Sequence, residues 1–187
     1  MSQTLNVDKD AFSSGQIGSK LWLCEELENL FESVDSVYIY GGWYGVTALL
    51  LQSRANINIE KIRSFDVDPG CEAVADMINE NWVYQGWKFK AHTQDCNTLD
   101  LTHNRPDLII NTSTEHFDSL DWFNNIPAGT IVVLQGNNMI HDDHHVYSSC
   151  LQEFVARFPV TEQLYTGEKQ FVYPDWKFTR YMLIGKK

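Results

Sequence analysis

Apolar and polar positions along this chain follow two periods. Short runs rich in β-branched and aromatic residues read as buried strands. Between most of them, apolar residues recur every three or four positions, as on the buried face of a helix. Ile17, Leu21, Leu23, Leu27, Leu30 and Phe31 predict a helix over 17–33, capped by Ser13 or Ser14. SVYIY (36–40) then reads as a strand and VTALLLQSRA (46–55) as a helix. The same alternation gives strands over 59–68 and 87–95 around a helix over 71–82. A strand over 106–113, a short helix over 119–126 and a strand over 130–136 follow. A helix over 144–158 leads to two final strands, 162–170 and 178–187, with no helix between them.

Strands alternating with helices predict an α/β fold, a doubly wound and mostly parallel sheet of seven strands with VYIY at its centre. The last two strands should form an antiparallel C-terminal hairpin. No linker or repeat interrupts the pattern, so 1–187 reads as one domain, with residues 1–12 as a flexible N-terminal arm. In such sheets ligands bind beyond the carboxyl ends of the strands. The loops after residues 40, 65, 94, 111 and 135 are therefore where chemistry is expected.

The formal net charge of −11 argues against a nucleic-acid partner, whose phosphates call for a basic stripe. Lys61–Arg63 and Lys88–Lys90 are only small basic clusters. No apolar run reaches the roughly 20 residues of a membrane helix, and the polar start lacks a signal-peptide pattern. Cys24, Cys71, Cys96 and Cys150 are scattered without a CxxC pair, which suits reduced thiols of a cytoplasmic protein.

The first of these loops raises a question. In VYIYGGWYGVTALLL (37–51), three glycines in five positions suit close approach of a ligand to the backbone, yet Trp43 and Tyr44 stand among them. They either pack beneath neighbouring loops or wall a pocket. After the second strand, SFDVDP offers Asp66, with Asp68 as the neighbouring alternative or as a helix start at Asp68-Pro69. Gln94-Asp95-Cys96 follows the third strand and also reads as an ordinary polar turn. Asn111, Glu115 and His116 follow the fourth, in positions that could equally cap turns. The segment HDDHH (141–145) sets His141 and His145 one helical turn apart, but no third ligand has a fixed spacing to them. Asp142 and Asp143 there suit a helix N-terminus, so no metal site is expected.

With these motifs on its strand ends and a terminal hairpin, residues 15–187 resemble the class I S-adenosylmethionine-dependent methyltransferases. That family's turn reads acid-x-Gly-x-Gly-x-Gly. Gly41 and Gly45 match its outer glycines, while Trp43 replaces the middle one and Ile39 stands at the acid. The resemblance implies S-adenosylmethionine as cofactor, held by Gly41, Gly42, Trp43, Gly45, Asp66, Asp95 and Asn111. Asp66 would take the ribose hydroxyls, Asp95 the adenine edge and Asn111 the methionine carboxylate. The Trp43 face would hold the sulfonium. Glu115-His116 resembles the Glu-His pair of small-molecule methyltransferases, implying His116 as general base oriented by Glu115.

The resemblance thus implies methyl transfer, or another use of S-adenosylmethionine, on a small molecule. Residues 1–20, the strand-end loops and either Tyr173–Trp176 or a second subunit would grip that molecule. The missing acid and Trp43 favour the alternative of a catalytically inactive binding or interaction module. NTST (111–114) is not the Asn/Asp-Pro-Pro-aromatic motif of amino-directed nucleic-acid methyltransferases.

Overall fold

The computed structural model describes residues 7–187. The expected arm of residues 1–12 lies partly outside this range. Within it, Lys9–Phe12 form a 3-10 turn with Ala11 buried. Seven strands form one sheet: β1 (Ser33–Tyr40), β2 (Asn58–Asp66), β3 (Phe89–Thr93), β4 (Leu108–Asn111), β5 (Ile131–Asn137), β6 (Glu162–Val172) and β7 (Lys177–Lys186). Their order is β3-β2-β1-β4-β5-β7-β6. The first five run parallel, whereas β7 pairs antiparallel with both β5 and β6. VYIY lies inside β1, flanked by β2 and β4 as expected.

The period of two along the strands sorts side chains into two cores. Val37, Ile39, Ile62, Met182 and Ile184 face the helices α1 (Ser14–Leu30), α2 (Val46–Ser53) and α3 (Cys71–Ile78). Tyr40, Phe65, Ile109, Tyr181 and Leu183 face the opposite layer, with α5 (Asp121–Asn124) and α6 (Leu151–Arg157). Ser13 caps α1, its hydroxyl accepting the Gln16 N–H. The four cysteines are unpaired, and burial pushes the Cys24, Cys71 and Cys96 thiols up to about 12. No helix among the described residues is long and apolar enough to cross a membrane.

Two helices differ from the sequence reading. The helix expected over 71–82 breaks at Asn79, whose buried amide donates to Gly45 O at 3.1 Å and Ala75 O at 2.9 Å. A separate turn, α4 (Glu80–Tyr84), follows. The helix expected over 144–158 starts only at Leu151. Upstream, the His145 and Val146 N–H groups both donate to the Glu115 carbonyl, at 2.8 and 3.2 Å. These long-range bonds replace the helical ladder, so Asp142-Asp143 is not a helix N-terminus. His141 and His145 are not presented on one helix face.

Candidate functional site

Strand order reverses between β1 and β4, and the loops there diverge to opposite faces of the sheet. A cavity of about 840 Å³ opens at this point, walled by the loops after β1, β2, β3 and β4 and by the start of α1.

The loop after β1 has backbone conformations that its sequence explains. Gly41 and Gly45 have φ of +60° and +72°, and Gly45 leads directly into α2. A side chain at Gly42 would drive into the Ser64 hydroxyl, with the Ser64 Cβ 3.2 Å away. Gly42→Ala should therefore destabilise the protein by about 1–3 kcal/mol, the usual cost of overpacking. Ser64→Gly in the same chain should recover most of that loss in urea unfolding. No recovery would mean that the clash lies elsewhere.

Trp43 also has a positive φ, +48°, which is uncommon for a bulky residue. Its N–H donates to Asp66 Oδ2 at 2.8 Å, and its ring stacks on Tyr44 with centroids 5.0 Å apart. Both rings line the cavity. The two aromatics therefore form part of a pocket wall, and neither belongs to the buried core. Ile39 is core, turned away toward α1 and α2, so the family's acid position offers no charge to the cavity.

Asp66 and Asp95 both line the cavity. Besides Trp43, Asp66 accepts the Asp68 N–H at 3.0 Å, so its carboxylate ties the end of β2 to the glycine loop. Asp68 instead accepts the Gly70 N–H at 2.8 Å, before α3, and does not line the cavity. Asp95 starts a 3-10 turn, with Oδ1 accepting from the Asn97 backbone and side-chain amides. Asn111 does not line the cavity. It is fully buried, and its Oδ1 accepts the Ser113 N–H at 2.9 Å. Asn111 thus shapes the turn below the site.

Glu115 and His116 line the cavity, but Glu115 does not hydrogen-bond His116. The buried Glu115 carboxylate uses Oε1 for Arg180 Nη1 at 3.1 Å and also accepts from Asn137 Nδ2. A backbone carbonyl, Asp143 O, lies 3.1 Å from His116 Nδ1. Because a carbonyl only accepts, this bond places the proton on Nδ1 and leaves the Nε2 lone pair free. The His116 ring thus hydrogen-bonds to Asp143 O, and Glu115 is engaged by Arg180 and Asn137.

Sequence reading missed Arg180 and, within the expected gripping segment 1–20, did not single out Gln16 or Lys20; all three line the cavity. Lys20 donates to Gln16 Oε1 at 2.6 Å. Burial, then the charge of Arg180, pushes the Lys20 ammonium down to about 7, with Glu115 and Asp10 opposing. The available signal was a charge inside an apolar run: Lys20 before LWLC in α1, Arg180 before YMLIG in β7. Such charges stay buried only when paired or facing a site.

Tyr173 and Trp176 are taken up locally. Their rings stack at 4.4 Å, and the Ser14 hydroxyl donates to Tyr173 Oη at 3.1 Å. Neither ring lines the cavity.

No protein-family model matches the chain, and a search of curated proteins finds no relative. Solved structures do resemble it. The N-methyltransferase NodS from Bradyrhizobium japonicum WM9 superposes with a TM-score of 0.65 at 13% identity, over 97% of this chain and 100% of that one. A putative sarcosine dimethylglycine methyltransferase from Galdieria sulphuraria gives 0.66 at 12%, over 91% and 86%. Magnesium protoporphyrin IX methyltransferase (ChlM) from Synechocystis PCC 6803, solved with bound SAH, gives 0.65 at 11%, over 99% and 90%. At these identities the likeness establishes the fold, which is that of the class I methyltransferases.

Proposed function

We propose that this chain is an S-adenosylmethionine-dependent methyltransferase, or a related S-adenosylmethionine-using enzyme, acting on a small molecule. The observation that carries this reading is the convergence of Gly41, Gly42, Trp43, Asp66 and Asp95 on one cavity at the strand-order switch, with Gly45 turning the loop into α2 behind them. Neighbours of the same fold were solved with SAM or SAH bound, which supports the cofactor.

In this reading Asp66, its oxygens still holding free lone pairs, accepts the ribose hydroxyls, and Asp95 accepts the adenine amino group. Arg180, and Lys20 when protonated, bring positive charge to the same cavity, where a carboxylate of the cofactor or of the acceptor is stabilised. When bound, the cofactor supplies a sulfonium methyl already activated for transfer. The chain's part is alignment, exclusion of water and, for a protonated acceptor, removal of its proton by His116 Nε2.

Ile39 in place of the acid favours a second reading, a binding module without catalysis. Calorimetry separates the two. The enzyme reading expects affinity for both S-adenosylmethionine and S-adenosylhomocysteine, and no affinity for either at millimolar concentration would leave the binding module.

Trp43 supplies a finer test. Trp43→Leu keeps bulk but loses the π face, which contributes ~0.5–2 kcal/mol to a cation. The sulfonium form should therefore weaken by about two- to thirtyfold relative to the neutral thioether. An unchanged ratio of the two affinities would assign Trp43 to shape alone.

A further inference from the structure

Glu115, His116 and His144 each place a potential donor atom within 4.8 Å of the other two. They come from the loops after β4 and β5, brought together by the bonds of His145 and Val146 to the Glu115 carbonyl. We propose that these three side chains form a binding site for a divalent transition metal of the zinc class, through His116 Nε2, His144 Nε2 and Glu115 Oε2.

Three features carry the assignment. His144 Nδ1 lies 3.0 Å from Met139 O, as His116 Nδ1 lies 3.1 Å from Asp143 O. Each carbonyl accepts from Nδ1, so in the neutral ring of both histidines the lone pair offered to a ligand is on Nε2. A backbone carbonyl behind each imidazole is the usual outer support of a metal-binding histidine. The rings stand edge to face, their centroids 4.9 Å apart and their planes at 89°. Finally, Glu115 is only 4% exposed, yet its Oε2 has no hydrogen-bond partner among the described residues. A buried carboxylate oxygen without a partner is costly, and a metal ion would satisfy it.

The Arg180 and Asn137 bonds to Oε1 hold the carboxylate with Oε2 turned free. The Arg180 charge also selects among ions. Magnesium is bound through charge on oxygen ligands and is disfavoured beside a guanidinium. Zinc draws much of its affinity from imidazole nitrogen, so two histidines and one carboxylate suit it. Three protein ligands leave a fourth position open, and Glu115 and His116 both line the cavity. That position suits an oxygen or nitrogen of a bound small molecule. With the metal in place, the His116 lone pair is committed, and the metal's charge lowers the pKa of the ligated group instead.

The site goes beyond the cofactor reading, and its test needs no cofactor. The metal-free protein is titrated with zinc chloride by calorimetry, and dialysed protein is assayed for metal content. The proposal expects one zinc per chain, at least a hundredfold loss of affinity in His144→Ala, and none in His103→Ala, which changes an exposed histidine remote from the cavity. Cobalt(II) should give the intense visible absorption of a four-coordinate site, and magnesium should give no heat. Wild type without stoichiometric zinc, or His144→Ala and His116→Ala both retaining full affinity, would overturn it. If His144→Ala fails to fold by circular dichroism, the wild-type cobalt spectrum decides alone, and a weak octahedral spectrum counts against the site. S-adenosylhomocysteine affinity, measured separately, shows whether the cofactor reading fails on its own.

Discussion

Replacing Arg180 by Met is expected to cost about 3–5 kcal/mol of stability, the range for removing one partner of a buried ion pair. Arg180 and Glu115 are both nearly inaccessible, with side chains 5% exposed. Without the guanidinium, Glu115 Oε1 keeps only Asn137, and Oε2 has no partner to make good the loss. The large cost thus comes from stranding a buried charge. Replacing both groups removes that charge, so Arg180→Met with Glu115→Gln should recover much of the stability in urea unfolding. A double variant as unstable as the sum of the singles would show that the two side chains act independently. Lys20 adds a third reading. Its ammonium is held down partly by Arg180, so in Arg180→Met it should titrate above its wild-type value of about 7.

Asp66→Ala is expected to weaken S-adenosylhomocysteine binding at least tenfold and up to about a hundredfold. A hydrogen bond to a charged group contributes roughly 1.5–3 kcal/mol, and a ribose offers two hydroxyls. The same carboxylate anchors Trp43 at its positive φ through the 2.8 Å bond, so Asp66→Ala also loosens the glycine loop. Asp66→Asn separates the contributions. It keeps one oxygen for the Trp43 N–H but loses the charge and the second acceptor, which the Asp68 N–H uses, and it should fall between wild type and Asp66→Ala. Asp95→Ala should cost less, because Asp95 is exposed and solvent screens its contact. Unchanged affinity in Asp66→Ala, measured by calorimetry, would remove the nucleoside from the end of β2.

The strand–helix alternation, the terminal hairpin and the central place of β1 were legible because each rests on local periodicity. Val37 and Ile39 against Tyr38 and Tyr40 is a period of two that any reader of the chain can follow. The glycine loop, Asp66 and Asp95 were legible for the same reason, since a strand end is a local feature. The reading failed where long-range bonds override local preference. HHVYSSC looks helical by its spacing, but the His145 and Val146 amides are used by the Glu115 carbonyl. Asn79 has the same effect on α3, where its side chain bonds across to Gly45.

By itself, then, the sequence determined the layers of this protein, the rim on which a ligand would sit and the residues of the glycine loop. Those follow from side-chain period and from backbone conformations that only certain residues adopt. Glu115 apart, the tertiary structure decided the polar centre of the site. Lys20, Glu115, Asn137, His144 and Arg180 come from α1, the loop after β4, β5, the segment after β5 and β7. Only Asn137 and His144 lie close in sequence, and the other three are far apart along the chain. The burial that makes each charge need a partner exists only once the sheet has closed over them.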